Sequence, residues 1–351
     1  MKNKRFAALI LVLVMVAQLA MPVFAQETVI YIKDADDLLE LIENCRLDTW
    51  SVGKRAVLEA DISLEGIAFT PIPTFGGTFD GNGHTISGIE LLSGTTPAGL
   101  FGTLQQTAVL KDLTVKALVA PTGDANTVGG IVGENHGAVM NCHFEGTVNG
   151  KANIGGIAGL NSTDGAITEC TVAGVIIGEN MTGGIAGQNL GLIASCENKA
   201  QVNTVSIDPT VKLEDLNGDF LLDITKWTSL DTSAASMDTG GIAGYSSGKI
   251  LSSINSGEIG YPHIGYNVGG IAGRSCGYIS GSSNNALIHG RKDVGGIVGQ
   301  MEPNIALNLS EDTIAQLQAE LEVLKVLLTD LKTSGVSAAG NINYRIDTIL
   351  L

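Results

Sequence analysis

Five carboxylates, Glu134, Glu145, Glu169, Glu179 and Glu197, come nearest to a catalytic pattern. A pair about 5–9.5 Å apart on one face could cleave a glycosidic bond. Only Glu169 and Glu197 stand close to equivalent places, one residue before Cys170 and one after Cys196. That is thin support for catalysis, and no catalytic residue is assigned. A cation has one candidate site, Asp215, Asn217, Asp219 and Asp223, because Asp215-Leu216-Asn217-Gly218-Asp219 opens like a calcium loop with alternating oxygen ligands. Phe220 stands where that loop needs glycine and Lys226 where it needs a bidentate carboxylate, so a solvated acidic loop is the competing reading. Apart from calcium no cofactor is expected. None of His84, His136, His143, His263 and His289 forms a His-Glu-x-x-His zinc signature.

The remaining chemistry-bearing feature is glycine, 46 of 351 residues and about twice the usual ~7 %. Gly-Gly-Ile-(Ala/Val)-Gly begins at Gly129, Gly155, Gly183, Gly240, Gly269 and Gly295, with an imperfect copy at Ala98-Gly99-Leu100-Phe101-Gly102. A phosphate-cradling loop would occur once, between a strand and a helix. Six copies at intervals of 26, 28, 57, 29 and 26 residues point to architecture instead.

Aligning the copies brings three apolar columns into register. One runs Ile131, Ile157, Ile185, Ile242, Ile271, Ile297; the second Val139, Ile167, Ile193, Ile250, Ile279; the third Val148, Ile176, Val202, Ile259, Ile288. Three β-branched clusters per repeat, separated by Gly, Asn and Ser, predict three short strands joined by corners. Stacked at ~4.8 Å, such turns make an all-β solenoid, a right-handed parallel β-helix of about 7–8 coils. Cys142, Cys170 and Cys196 share a further column, continued by Ser253 and Ser282 and preceded by Leu113. Thiols stacked in parallel point the same way, which favours free buried cysteines over disulfides. Asn135, Asn161 and Asn189, then Ser246 and Ser275, read as an asparagine ladder at a corner.

The ends break the period. Lys2, Lys4 and Arg5 precede an apolar run ending at Val23-Phe24-Ala25, so residues 1–25 are expected to be a signal peptide cleaved after Ala25. Residues 26–74 are expected to cap the solenoid, with a strand at Val29-Ile30-Tyr31-Ile32 and an amphipathic helix from Asp34 to Cys45. The solenoid is expected over 75–304, its first full coil at Gly76–Ile89, with an insertion at about 203–238. Residues 305–351 are expected to be helical: Ile314, Leu317, Leu321, Leu324, Leu328 and Leu331 form a heptad seam suited to self-association or to capping the far end. The apolar finish, Arg345 to Leu351, suggests part of a longer protein.

Repeats reading Gly-Gly-Ile-Ala-Gly-x-Asn with a downstream Asn-Cys, here Asn141-Cys142, resemble the GLUG motif of bacterial surface proteins. That motif also precedes the catalytic domain of immunoglobulin-A-cleaving metalloproteases. The resemblance spans about 75–300 and implies a β-helix displayed outside the cell; it carries over no catalytic residue. Net charge is −16 with only 16 % charged residues, which argues against nucleic acid and anionic lipid as partners. No later segment is long and apolar enough to span a membrane. The expected function is therefore a non-catalytic secreted or cell-surface protein, adhesin-like or a stalk for a larger one, with a glycan or a host matrix protein as partner. The alternative is a carbohydrate-active enzyme, a polysaccharide lyase or glycosidase.

Overall fold

Each pentapeptide folds as a corner between two strands, so one coil contains four strand segments where three were expected. In the coil starting at Asn126 these are Asn126–Gly129, Val132–Asn135, Ala138–Met140 and His143–Asn149. The Gly-Gly-Ile corner splits what reads in sequence as a single apolar cluster. The computed structural model describes residues 28–204 and 236–303.

Repetition of the coil builds four parallel sheets. Sheet I has nine strands, from Thr28–Ile32 to Tyr278–Ser280, and sheet II has six, from Asn126–Gly129 to Lys292–Gly295. Sheet III has eight, from Ile72–Phe75 to Val298–Met301, and sheet IV runs from Ile62–Ser63 to Ser283–Asn284. The solenoid thus has about nine turns, more than the 7–8 read from the repeats. The difference lies at the N-terminal end. Thr28–Ile32 pairs with Lys54–Leu58, and that strand with Thr78–Asp80, so residues 28–74 supply rungs of the sheet as well as a helix. Its rungs lack the pentapeptide, which hid them.

The columns hold in space. Val139 pairs with Ile167 and Leu110, Ile176 with Val148 and Val202, and Ile259 with Val202 and Ile288. All are buried except Ile288 at the end of the stack, which is half-buried. Phe75, Phe79 and Phe101 fill the N-terminal core with edge-to-face contacts, their centroids 5.3–6.1 Å apart. Helix α1 (Ala35–Asn44) begins where the Asp34 carboxylate accepts the Asp37 N–H. Its apolar side, Leu38, Leu41 and Ile42, joins the same core.

The corners between sheets I and IV use the left-handed backbone region at non-glycine residues. Asn141, Glu169, Ser195 and Ser252 all have φ between 47° and 56°. Each immediately precedes a member of the Cys/Ser column, so the turn aims that side chain inward.

Among the described residues three buried side-chain polar atoms have no hydrogen-bond partner: Asn153 Oδ1, Ser162 Oγ and Thr182 Oγ1. The column neighbours of Thr182 are Ile154 below and Thr239 above. Thr239 is satisfied, its Oγ1 accepting Asn203 Nδ2 at 2.9 Å. Replacing Thr182 by valine is expected to stabilise the fold by about 1 kcal/mol, since it removes an unmet hydroxyl at nearly constant volume. A lowered denaturation midpoint for Thr182→Val would contradict this.

Candidate functional site

Inside the solenoid, Cys142, Cys170 and Cys196 form a regular thiol ladder. Each Sγ lies 3.2–3.4 Å from the carbonyl two residues earlier, of Met140, Thr168 and Ala194. Each also lies 3.6–3.9 Å from a carbonyl of the coil below, of Leu110, Val139 and Ile167. Ser253 continues the column with the same bond to Leu251 O at 3.0 Å. All five cysteines are free; for the three of the column this is what the parallel stacking predicts, while Cys45 and Cys276 lie off it. Burial, then contact with Cys142, pushes the Cys170 thiol well above its ordinary range, and contact with Cys170, then burial, does so for Cys196. Burial pushes Cys45 up to about 11. Such thiols are poor nucleophiles near neutral pH. Cys276 is half-buried, its Sγ 3.2 Å from the Tyr245 hydroxyl.

The asparagine ladder is equally regular. Asn135 Nδ2 donates to Asn161 Oδ1 and Asn161 Nδ2 to Asn189 Oδ1, both at 2.8 Å, and Asn189 Nδ2 donates to Ser246 Oγ at 3.0 Å. A second ladder was not foreseen: Asn198 Nδ2 donates to Asn255 Oδ1 at 2.8 Å, and Asn255 Nδ2 to Asn284 Oδ1 at 2.6 Å. Its signal lay in the sequence, where an asparagine stands two residues after Cys196, Ser253 and Ser282.

The outward carboxylates do not gather. Glu134 projects from sheet III against His136 Nε2 at 2.8 Å. Glu145 projects from sheet IV and pairs with Lys116 at 2.7 Å. Glu197, also on sheet IV, binds Lys199 at 3.1 Å and accepts the Ser256 hydroxyl. Glu169 sits on a left-handed corner, while the strand residue paired with Glu197 is Thr171. Glu179 lies outside any strand, just before sheet II. Among the described residues no three His, Cys, Asp or Glu side chains converge as a metal site. The calcium candidates Asp215, Asn217, Asp219 and Asp223 lie outside the described residues, as do the signal segment and the 314–331 heptads.

Two charged clusters tie coils together. Arg274 donates to Asp238 Oδ2 through Nε at 3.0 Å and Nη2 at 2.8 Å, to Glu302 through Nη1 at 3.0 Å, and stacks over the Tyr245 ring. Nearer the N-terminus, the buried Asp80 accepts Arg55 at 2.6 Å and Lys111 at 2.9 Å. Burial alone would raise the Asp80 pKa, but Lys111, Arg55 and the Asn82 N–H outweigh it and hold the carboxyl below its usual range. Because the folded-state value is depressed, this contribution is complete above the unfolded value and vanishes as pH falls through the folded one. Asp80→Asn is thus expected to lose stability at neutral pH and to show a flatter acid limb than the parent. Denaturation midpoints across the acid range test this, and parallel limbs would refute it. An open groove of about 330 Å³ runs beside Gly66–Phe69, with Glu90 its one charged side chain.

Residues 124–149, one coil from the turn before sheet II to the end of a sheet IV strand, match the family model described as the GLUG motif. The chain carries the GLUG motif. Over 102 residues it is 41 % identical to halomucin of Haloquadratum walsbyi, covering 29 % of this chain and 1 % of that protein. The chain therefore spans about a hundredth of that relative's length. Among solved structures it resembles a candidate immunoglobulin A1 protease from Bacteroides ovatus, at 18 % identity and a TM-score of 0.53. That match covers 76 % of this chain and 84 % of the other, and it speaks for the fold alone. No helix among the described residues is long and apolar enough to cross a membrane.

Proposed function

We propose that this protein is a non-catalytic GLUG solenoid exported by its N-terminal segment, serving as a displayed binding rod or as the stalk of a larger surface protein. The observation that carries this reading is how its polar groups are spent. Glu134, Glu145 and Glu197 are each held by a neighbouring His or Lys and do not converge, while the interior carries side-chain ladders of asparagine and cysteine from coil to coil. That arrangement suits stiffness and a long polar surface. The halomucin match supports a setting outside the cell, since a mucin-named relative shares about a hundred residues of this chain. In this reading α1 shields the first rung of sheet I, the 314–331 heptads serve self-association, and the partner is a glycan or a matrix protein.

Incubating the purified protein with a panel of polysaccharides tests the proposal. Retention of a glycan or matrix protein without turnover supports it. Release of reducing or unsaturated ends would sink it in favour of a lyase or glycosidase. A calcium titration asks the separate calcium question: if Asp215, Asn217, Asp219 and Asp223 hold calcium, the parent should bind it and Asp215→Ala with Asp219→Ala should not, and a parent without affinity leaves a solvated acidic loop.

A further inference from the structure

The thiol ladder repeats by translation. Cys142, Cys170 and Cys196 each place Sγ against the same pair of carbonyl positions, shifted by one coil. Successive sulfurs are therefore separated by about the coil spacing, ~4.8 Å, with the side chains pointing the same way. That is far beyond a disulfide bond of about 2.05 Å. It matches two collinear metal–thiolate bonds of about 2.3 Å each. Among the described residues no third His, Cys, Asp or Glu side chain joins two of these sulfurs, so the column suits a linear cation better than a tetrahedral one. Burial adds a second condition, since the three thiols are at most 1 % exposed and a net charge there would be costly. A divalent cation held by two thiolates is neutral.

We propose that this ladder is a site for a soft, linearly coordinated divalent cation, with mercury(II) as the probe, bridging Cys170 to Cys142 or to Cys196. On binding, two S–H bonds break, two S–Hg bonds form, and two protons leave to solvent. Both possible bridges share Cys170, so a chain holds one such ion. The column itself makes the substitutions mild: Ser253 and Ser282 occupy it in later coils, so serine fits the position.

The test is to refold the full chain with mercury(II), add excess small monothiol to strip singly bound metal, and weigh the folded protein by native mass spectrometry. The parent, Cys142→Ser and Cys196→Ser should each keep one mercury and melt at a higher temperature than without it. Cys170→Ser should keep none and show no shift. Should Cys170→Ser fail to fold, the double variant Cys142→Ser/Cys196→Ser, which leaves Cys170 alone, should likewise keep none. A parent that yields all its mercury to the monothiol overturns the proposal. So does a Cys170→Ser or double variant that holds it as the parent does, because the metal would then be held without a bridge through Cys170.

Discussion

Gly184→Ala is expected to cost about 3 kcal/mol or more, near the top of what overpacking does. The same change at Gly296 should cost well under half as much. Both are the second glycine of the pentapeptide, so local preference alone predicts equal effects. Their surroundings differ. A Cβ on Gly184 would lie 2.3 Å from Gly241 O in the coil above and 2.3 Å from Asn198 Cγ across the core. Neither can retreat, because Asn198 is tied to Asn255 and to Ala200 O, and Gly241 belongs to the next coil's own corner. A Cβ on Gly296 meets nothing within 4 Å. Neither glycine has a positive φ, so the difference between them is packing and not backbone strain. Chemical denaturation followed by circular dichroism would read it as two separated midpoints. Equal losses would mean that these glycines act through chain entropy, and the packing account of the motif would fail.

The other glycines of the pentapeptide explain why the repeat was legible and its strand count was not. A Cβ on the third glycine, as at Gly187, would meet Ile154 N at 2.2 Å and Asn153 C at 2.3 Å, the backbone of a sheet II strand in the coil below. The motif thus lets two strands pack at backbone distance around one isoleucine. In sequence the glycines read as corners, which is correct, but nothing in their spacing distinguishes a corner after a strand from a corner between two strands. The ladders of Ile, Val and Cys were readable because each column is constrained by the rung above and below it. Outward residues escape that constraint. Glu134 and Glu145 differ in sheet and partner although both lie in one coil, and no alignment of the repeats could have said so. A binding surface on such a rod leaves a weak trace in its sequence for the same reason, since the fold does not dictate what an outward position holds.

The largest expected loss from an interior side chain is at Asn161. Asn161→Leu is expected to cost about 2–6 kcal/mol, from about 1–3 for each buried polar group it orphans. Asn161 is fully buried and stands mid-ladder, its Oδ1 accepting from Asn135 and its Nδ2 donating to Asn189. Leucine is similar in volume, so the deficit would be polar: Asn135 Nδ2 loses its acceptor and Asn189 Oδ1 its donor. The column itself shows that leucine is not excluded by shape, because Leu104 occupies it one coil below Asn135 and pairs with Phe75. Leucine is tolerated there because its lower neighbour is apolar too. Two consequences separate this account from simple crowding. Asn161→Ser should cost less than Asn161→Leu, since a hydroxyl can still accept or donate within the ladder, as Ser246 does for Asn189. The double variant Asn161→Leu/Asn189→Leu should cost less than the sum of the two single changes, because the orphaned pair is removed together. Strict additivity in a double-mutant cycle would show that the asparagines are filling space independently, and that the ladder is geometry without coupling.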